Sequence, residues 1–317
     1  MRTMTGLLMS AVCLLGTSSL ASEANGGAPA FLFASFRGNG EDGLHLAYSR
    51  DGLQWTALKN DTAFLKPTVG GKLMRDPCIL RGPDGVFHMA WTTSWGDKGI
   101  GIAHSSNLVD WSAQKFVPVM EHEATARNCW APEIAWDPKG GQYVLYWATT
   151  FPDRFKETEQ GGDKGWNHRI YFTTTRDFET YTKAALLYDP GFNSIDATIA
   201  PDGDRFVMIL KDETLLPPAK NLRVARSESA VGPWGAASPA FSPSGKWVEG
   251  PSLLKTGEGW IVYYDEYTAH RYGAMRTRDF KTWEEISAKL SFPKGTRHGT
   301  AFPVPAALLK RLLLEQR

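Results

Sequence analysis

The sequence has few cysteines, almost no net charge and no long apolar run beyond its first 20 residues. Only 3 of its 317 residues are cysteine, too few for a disulfide-built scaffold, and without clustered histidines they give no zinc site. The formal net charge is +1 and no basic stripe stands out, so nucleic-acid binding has no support. We therefore expect a neutral substrate, no nucleic-acid or membrane partner, and a monomer.

The N-terminal segment has the pattern of a secretory signal. Met1 and Arg2 give a positive start, residues 7–16 are apolar, and residues 19–21 are small enough for a cleavage site. The apolar stretch is too short to span a bilayer. We expect residues 1–21 to be removed near Ala21, which predicts a secreted or periplasmic protein.

Five stretches of the chain begin alike, with small or proline residues early and an apolar pair after them. They are residues 75–80, 130–134, 195–199, 249–254 and 298–302. Their starts lie about 50 to 65 residues apart, which indicates a repeat architecture. Between them lie runs of β-branched and aromatic residues bounded by Gly and Asp, the signal of strands. Four strands per repeat predict the blade of a β-propeller.

The two ends of the chain complete each other. Residues 31–55 supply the second, third and fourth strands of a blade, whereas residues 298–304 form an innermost strand with no blade after it. We therefore predict an all-β, five-bladed propeller over residues 22–305, closed by the C-terminal strand in the N-terminal blade. The tail 306–317 should form a short helix.

A large aromatic residue recurs near the end of each repeat and should pack between blades. The series is Trp55, Trp111, Tyr181, Trp234 and Trp283. Cys78 and Cys129 lie at the starts of neighbouring blades, so export would permit a disulfide between them. Two buried thiols are the interpretation that we favour.

Three of the blade starts carry an acid, namely Asp76, Asp196 and Glu249. If these positions are equivalent in their blades, the three carboxylates converge on the propeller axis. Mutual repulsion then raises at least one pKa, and two carboxyl groups with separated pKa values are what glycosidic cleavage requires. Each acid alone has an ordinary explanation: a turn before Pro77, a loop cap, or a pair with Arg297.

The blade starts resemble the motifs of glycoside hydrolase family 43, over nearly the whole mature chain. The matching segments are Met74-Arg75-Asp76-Pro77, Trp130-Ala131-Pro132-Glu133, Ser194-Ile195-Asp196-Ala197 and Val248-Glu249-Gly250-Pro251. The resemblance implies an inverting, mostly exo-acting enzyme on arabinose-, xylose- or galactose-containing glycans, with no cofactor needed for the chemistry. It also implies that Asp76 is the general base, Glu249 the general acid, and Asp196 the residue that tunes and orients the acid.

Two features depart from the family pattern. Ala197 stands where the family usually has proline after the second aspartate, although the carboxylate is retained. A blade also precedes the one that carries the base motif. Its loop holds Glu41 and Asp42, which either bind sugar hydroxyls or shape a glycine-rich turn.

Further candidates for substrate binding have alternative structural explanations. Trp95 and Trp130 either stack on a sugar ring or pack in the interior. Lys211, followed by Asp212 and Glu213, either lines the pocket rim or belongs to a solvated loop. Arg297 either holds a carboxylate or binds a hydroxyl.

His298 begins the closing strand and faces the predicted axis. The family resemblance implies an ion near such a histidine in the central channel, commonly calcium held through water. A neutral histidine with ordinary hydrogen bonds is the alternative, and no Asp-rich calcium loop is visible. The long polar segment 151–168 should wall one side of the pocket and favour cleavage at chain ends.

Three rival functions stay open. A retaining five-bladed fructosidase would need Asn-Asp-Pro and Glu-Cys motifs, but residues 39–42 and Glu249-Gly250 stand in their places. A sugar-binding propeller would not need all three acids, and a scaffold gives no reason for them. Within family 43 we expect an α-L-arabinofuranoside first, then a β-D-xyloside, then a galactoside.

Overall fold

The structure is a computed structural model that describes residues 29–315, so the predicted signal segment 1–21 and Cys13 lie outside the described residues. The described residues form nineteen strands in chain order. They are β1 (Phe31–Ser35), β2 (His45–Ser49), β3 (Thr56–Ala57), β4 (Arg75–Arg81), β5 (Phe87–Thr92), β6 (Ile100–Ser105), β7 (Lys115–Val117), β8 (Trp130–Asp137), β9 (Gln142–Thr150), β10 (His168–Thr175), β11 (Ala185–Tyr188), β12 (Ser194–Asp202), β13 (Arg205–Asp212), β14 (Asn221–Ser227), β15 (Glu249–Thr256), β16 (Gly259–Glu266), β17 (Arg271–Thr277), β18 (Glu284–Glu285) and β19 (Thr300–Pro303). Short 3₁₀ turns cover Lys59–Asp61, Lys156–Gly161 and Ser287–Lys289, and one α-helix, α1, covers Ala306–Leu314.

The strands pair into five antiparallel sheets, which are the five blades of a β-propeller. Blades two, three and five are β4 to β7, β8 to β11 and β15 to β18, and blade four is β12 to β14. Blade one has the order β19-β1-β2-β3, with Leu32 opposite Phe302. The C-terminal strand therefore covers the inner edge of β1, and the predicted ring closure is confirmed.

Blade four has three strands, so the prediction of four strands in every blade is wrong there. The segment after β14 follows its edge through isolated backbone bonds, from Ser238 N to Val224 O and from Phe241 N to Leu222 O. Pro239 lies between these donors and has no N–H to give. A continuous ladder does not form along this edge.

Five clusters of buried apolar side chains fill the spaces between the blades, one cluster per interface. Each recurring aromatic lies in the interface on the same side of its blade, which confirms the predicted packing role. The series Trp111, Tyr181, Trp234, Trp283 and Trp55 runs around the ring in that order. Trp55 is buried, whereas the other four aromatics are partly buried. Every interface between blades therefore contains one of these side chains.

The C-terminal helix α1 packs against the interface of blades one and two through Leu309 and Leu312. Cys78 and Cys129 are both buried and free, in agreement with the favoured interpretation. Within residues 29–315, no helix has the length and apolar character that crossing a bilayer would require.

Candidate active site

A β-bulge opens the innermost strand of blades two to five. The pairing register shifts after Arg75, Trp130, Ile195 and Glu249. The next residue in each blade has a left-handed backbone, with φ of 53° at Asp76, 46° at Ala131, 51° at Asp196 and 54° at Gly250. Bulges of this kind redirect side chains near functional sites. Here they turn the start of each inner strand toward the axis.

The register shows that the three predicted acids do not occupy equivalent positions, so that expectation is wrong. Asp76 and Asp196 occupy the left-handed position, whereas Glu249 lies one residue earlier, opposite Asp265. The left-handed position of blade five is Gly250. A Cβ built there would lie 2.0 Å from the Cβ of His298, so a side chain has no room.

The three acids nevertheless meet in one open cavity of about 380 Å³ on the axis. All five blades contribute to its lining. The residues are Gly38, Asn39, Arg75, Asp76, Thr92, Trp95, Trp130, Ile195, Asp196, Glu213, Glu249, Arg297 and His298. The site is therefore built from residues that lie up to 260 positions apart in the chain, as far as Gly38 is from His298.

His298 is the centre of the acid cluster. Its Nε2 lies 2.7 Å from Asp76 Oδ1, and its Nδ1 lies 3.6 Å from both Glu249 Oε1 and Asp265 Oδ2. Burial opposes a charge on this ring, but the surrounding carboxylates outweigh it and raise the pKa of His298 to about 10. The imidazole is therefore a cation at neutral pH.

Asp76 is held in its ionised form. Burial would raise its pKa, but His298, the Arg75 guanidinium and a hydrogen bond from Thr92 Oγ1 lower the pKa to about 2. The Thr92 hydroxyl in turn accepts from the backbone N–H of Ala131. A buried carboxylate that stays ionised and faces a cavity can accept a proton from water.

Asp196 behaves in the opposite way. Burial raises its pKa to about 6, and the nearby charges of Glu249 and Asp76 add to the rise, against the effects of His298 and Lys211. Its Oδ2 accepts a hydrogen bond from the backbone N–H of Gly250, 3.0 Å away. The cluster thus contains two aspartates with well-separated pKa values. The raised pKa of Asp196 agrees with the rise that the sequence predicted for at least one of the acids.

Glu249 lies between two cations. Arg297 Nη2 is 2.9 Å from its Oε1, and Lys211 Nζ is 3.2 Å from its Oε2. Arg297 also donates through Nε to Asp265 Oδ2 at 2.8 Å. These contacts fix the carboxyl group and would stabilise the carboxylate left after it has given up a proton. Lys211 itself is only 1% exposed and does not line the cavity.

Aromatic side chains form one wall of the cavity. Trp95, which is 50% exposed, meets Trp130 edge to face with ring centroids 5.5 Å apart, and Trp130 packs on Trp166 at 4.6 Å. Arg75 stacks on Trp95, and Asn39 Oδ1 accepts bonds from both of them. Trp166 brings the segment 151–168 to the back of this wall. The wall offers flat apolar faces beside the acids.

Comparisons with known proteins identify the family of the chain. The model of a family described as "Probable glycosyl hydrolase domain", related to glycoside hydrolase family 43, matches residues 28–309. The chain belongs to this family. The resemblance drawn from the blade-start motifs is thereby confirmed at the level of the family.

Individual relatives of this family 43-type chain are distant. An α-L-arabinofuranosidase of Bifidobacterium longum subsp. longum is 24% identical over 262 residues, which cover 68% of this chain and 25% of the relative. The chain therefore spans about a quarter of that curated relative's length. Among solved structures, an α-L-arabinofuranosidase of Lactobacillus brevis is 17% identical with a TM-score of 0.51, covering 68% of this chain and 72% of its own. An exo-β-1,3-galactanase of Phanerochaete chrysosporium is 14% identical with a TM-score of 0.52, covering 71% and 53%. At these identities the structures support the fold.

The loop of the leading blade contributes a different residue from those that the sequence suggested. Neither Glu41 nor Asp42 is among the residues that line the cavity, whereas Asn39 of the same loop is. Asp42 contacts His45 Nε2 at 2.8 Å, and Glu41 accepts from Asn39 Nδ2 at 3.0 Å. In this family 43-type site the loop thus supports Arg75 and Trp95 through an amide.

Sequence reasoning missed Glu133 and Asp265 as parts of the cluster. Glu133 Oε2 accepts from the Tyr146 hydroxyl at 2.9 Å, and burial raises the pKa of Glu133 to about 8, so the acid is protonated at neutral pH. The blade-start motif that contains Glu133 could have identified it. Asp265 lies one residue before the end of a second strand, and its role becomes visible only when Arg297 and His298 are placed beside it.

The residues around His298 do not fit the ion that the resemblance implies. Glu249, Asp265 and His298 could form a metal-binding group by distance, but Arg297 already contacts both carboxylates. A second void on the axis, lined by Asp76, has only about 20 Å³, room for roughly one water. Calcium takes six to eight oxygen ligands. An imidazolium and a guanidinium supply the positive charge here instead.

Gly250 gives a test of this packing. We expect Gly250→Ala to destabilise the protein by several kcal/mol, since the new Cβ would overlap His298 in a backbone conformation with φ of 54°. Thermal unfolding measures the effect. Gly257→Ala is the matched control, because a Cβ there has no atom within 4 Å. Equal melting temperatures for the two variants would contradict the geometry at the blade start.

Proposed function

We propose that this protein is an inverting, exo-acting glycoside hydrolase that releases terminal arabinofuranose, with xylose and then galactose as the next candidates, from plant-type polysaccharides or oligosaccharides. The observation that carries the proposal is the meeting of Asp76, Asp196 and Glu249 in one cavity around the His298 imidazolium. Membership of a family 43-related group supports it. The α-L-arabinofuranosidase activity named for the Bifidobacterium longum relative favours arabinose.

The mechanism we propose is a single displacement. Glu249 protonates the glycosidic oxygen while Asp76 takes a proton from a water molecule on the opposite face of the sugar. His298 and Arg75 keep Asp76 ionised for this task. Asp196 adjusts the charge around Glu249 and orients the acid through the backbone of Gly250. No cofactor takes part in these steps.

Inversion needs room for the attacking water, roughly 6.5 to 9.5 Å between the two carboxyl groups. The His298 ring supports such a spacing, because Asp76 contacts one ring nitrogen and Glu249 faces the other. The cavity of about 380 Å³ is of the size that holds a small ligand. Trp95 and Trp130 would hold the sugar by stacking. A pocket of this size, backed by the segment 151–168, favours attack at chain ends.

The setting of the enzyme forms part of the same proposal. The signal-like residues 1–21 support export, with cleavage near Ala21 and action on glycans outside the cytoplasm. A net charge of +1 suits a neutral glycan. We propose that the enzyme acts as a monomer.

Proton NMR of a fresh hydrolysate tests the mechanism directly. With aryl glycosides and with arabinan, arabinoxylan and galactan, we expect the first product formed to have the anomeric configuration opposite to that of the substrate. The monosaccharide released from this panel also identifies the sugar that the enzyme recognises. Retention of configuration would remove the single displacement and favour the fructosidase-like alternative. A purified protein that cleaves nothing but binds oligosaccharides would favour a sugar-binding propeller.

A further inference from the structure

A series of alternating charges leads from Glu249 past the cavity-lining Glu213 to Asp163. We call its members Lys211, Glu213, Lys220 and Asp163 the charge chain. Lys211 Nζ lies 3.2 Å from Glu249 Oε2 and 2.5 Å from Glu213 Oε2. Lys220 Nζ lies 2.7 Å from both Glu213 Oε1 and Asp163 Oδ2. The side chains of both lysines are only 1% exposed. Solvent therefore screens these contacts weakly.

The backbone joins the same elements. The charge chain spans the connection between β13 and β14, in which Leu215 N donates to Gly161 O at 2.9 Å. At the end of this connection, Val248 N donates to Lys220 O at 3.1 Å, one residue before Glu249. The segment 151–168 and the start of β15 are thus tied to one connection, through both backbone and side chains.

The far end of the charge chain belongs to the turn that supports the aromatic wall. Asp163 N donates to Trp166 O at 3.0 Å, and Trp166 N donates to Asp163 O at 2.9 Å. The Trp166 ring packs on Trp130, which lines the cavity. One tight turn therefore contacts the wall through Trp166 and the charge chain through Asp163.

Charge balance explains how Asp163, at one end of the charge chain, affects the contact between Lys211 and Glu249 at the other end. Two cations and two anions alternate, so each buried lysine has an acid on either side. Without the charge of Asp163, Lys220 would have Glu213 as its one remaining carboxylate partner among these contacts. Glu213 would then be drawn from Lys211, and Lys211 would shift against Glu249. A buried charge that loses its partner is expensive, so such a rearrangement is expected.

We propose that Asp163, acting through Lys220 and Glu213, is a positioning residue that fixes Lys211 against Glu249. The turn that backs the aromatic wall then also sets the orientation of the acid. This inference rests on the proposed function, because it needs Glu249 to act as the proton donor. Asp163 itself touches neither the cavity lining nor the three central acids.

The test is Asp163→Asn, which keeps the size of the side chain and removes its charge. We expect kcat/KM to fall about tenfold on an unactivated arabinoside, since a displaced acid fails most where proton donation is needed. A dinitrophenyl arabinoside, whose leaving group needs little protonation, should change less than about twofold. Glu159→Gln is the matched control, because Glu159 lies in the same segment and pairs with exposed Lys156. It should leave both rates unchanged.

A double variant tests whether the unbalanced charge of Lys220 causes the effect of losing Asp163. Asp163→Asn combined with Lys220→Met removes both ends of one ion pair and keeps the net charge. Lys220 is the cation that draws Glu213 from Lys211 when Asp163 loses its charge. Positioning therefore predicts that the double variant recovers toward the wild-type rate on the unactivated arabinoside, whereas a double variant that keeps the full loss of Asp163→Asn would overturn the proposal. Equal losses on both substrates in Asp163→Asn itself, or no loss there, would also overturn it. An inactive wild-type protein contradicts the proposed function itself; an active wild type with an unaffected Asp163→Asn variant contradicts only the positioning role. Thermal unfolding establishes that each variant is folded.

Discussion

Replacing Glu249 by Gln should lower kcat/KM on unactivated arabinosides by about 10²- to 10⁴-fold. Glutamine keeps the shape of the side chain, but its one carbonyl oxygen replaces only one of the two oxygens that accept from Arg297 and Lys211, and it has no acidic proton for the glycosidic oxygen. Aryl glycosides with good leaving groups need little protonation, so their rates should fall far less. Steady-state kinetics on both kinds of substrate measure the difference.

Binding should survive this change, because the aromatic wall formed by Trp95 and Trp130 is untouched. Isothermal titration with the released monosaccharide, which neither protein hydrolyses, is expected to give a similar Kd for the variant and the wild type. Glu258→Gln on the same blade is the control, since Glu258 is an exposed partner of Arg276. Equal loss on activated and unactivated substrates would mean that Glu249 is not the proton donor.

The fold could be predicted from the sequence because its signals are local and repeated. Strand runs and turn residues recur in each repeat, and the missing strand at one end matches the extra strand at the other. The exception is blade four, where the prolines after β14 interrupt the repeat. Pro233 and Pro239 are the sequence signal for the missing outer strand, because proline cannot donate to a strand ladder.

The acids could be identified from the sequence, but their register could not be taken from acid positions alone. When the small residues Pro77, Pro132, Ala197 and Pro251 are aligned, the position equivalent to Asp76 is Gly250 and not Glu249. The bulge makes both positions useful, because it turns two successive side-chain positions toward the axis. In a regular strand successive side chains point to opposite faces, so the usual strand pattern predicts only one of these two positions at the axis.

The partners of the acids could not be predicted because they come from other blades or from the neighbouring strand of the same blade. Asp265 and Lys211 each lie one residue before the end of a second strand, β16 and β13, and His298 precedes β19. The second-strand positions carry no motif of their own, and their pairing depends on how the blades are arranged around the axis. The protonation states follow from these contacts, which is why Asp76 and Asp196 have opposite pKa shifts despite equivalent positions.

Replacing Asp76 by Asn should lower kcat/KM by about 10²- to 10⁴-fold on activated and unactivated arabinosides alike. A water molecule must be deprotonated whatever the leaving group is, and an amide cannot take that proton. The two substrates therefore distinguish the roles: selective loss is expected for Glu249→Gln, and uniform loss for Asp76→Asn. Selective loss in Asp76→Asn would assign proton donation to Asp76 and contradict the proposed roles.

The same variant should change how stability depends on pH. In the wild type the pKa of His298 is raised to about 10, so the pair with Asp76 stabilises the fold fully below the ordinary histidine pKa, about 6.5. This stabilisation is lost as pH rises toward 10. In Asp76→Asn the imidazolium has lost its nearest carboxylate, so the melting temperature should fall at pH 6 and lie closer to that of the wild type at pH 10. An equal difference at both pH values would show that the ion pair does not control the protonation of His298, and that His298 is not the group that keeps Asp76 ionised.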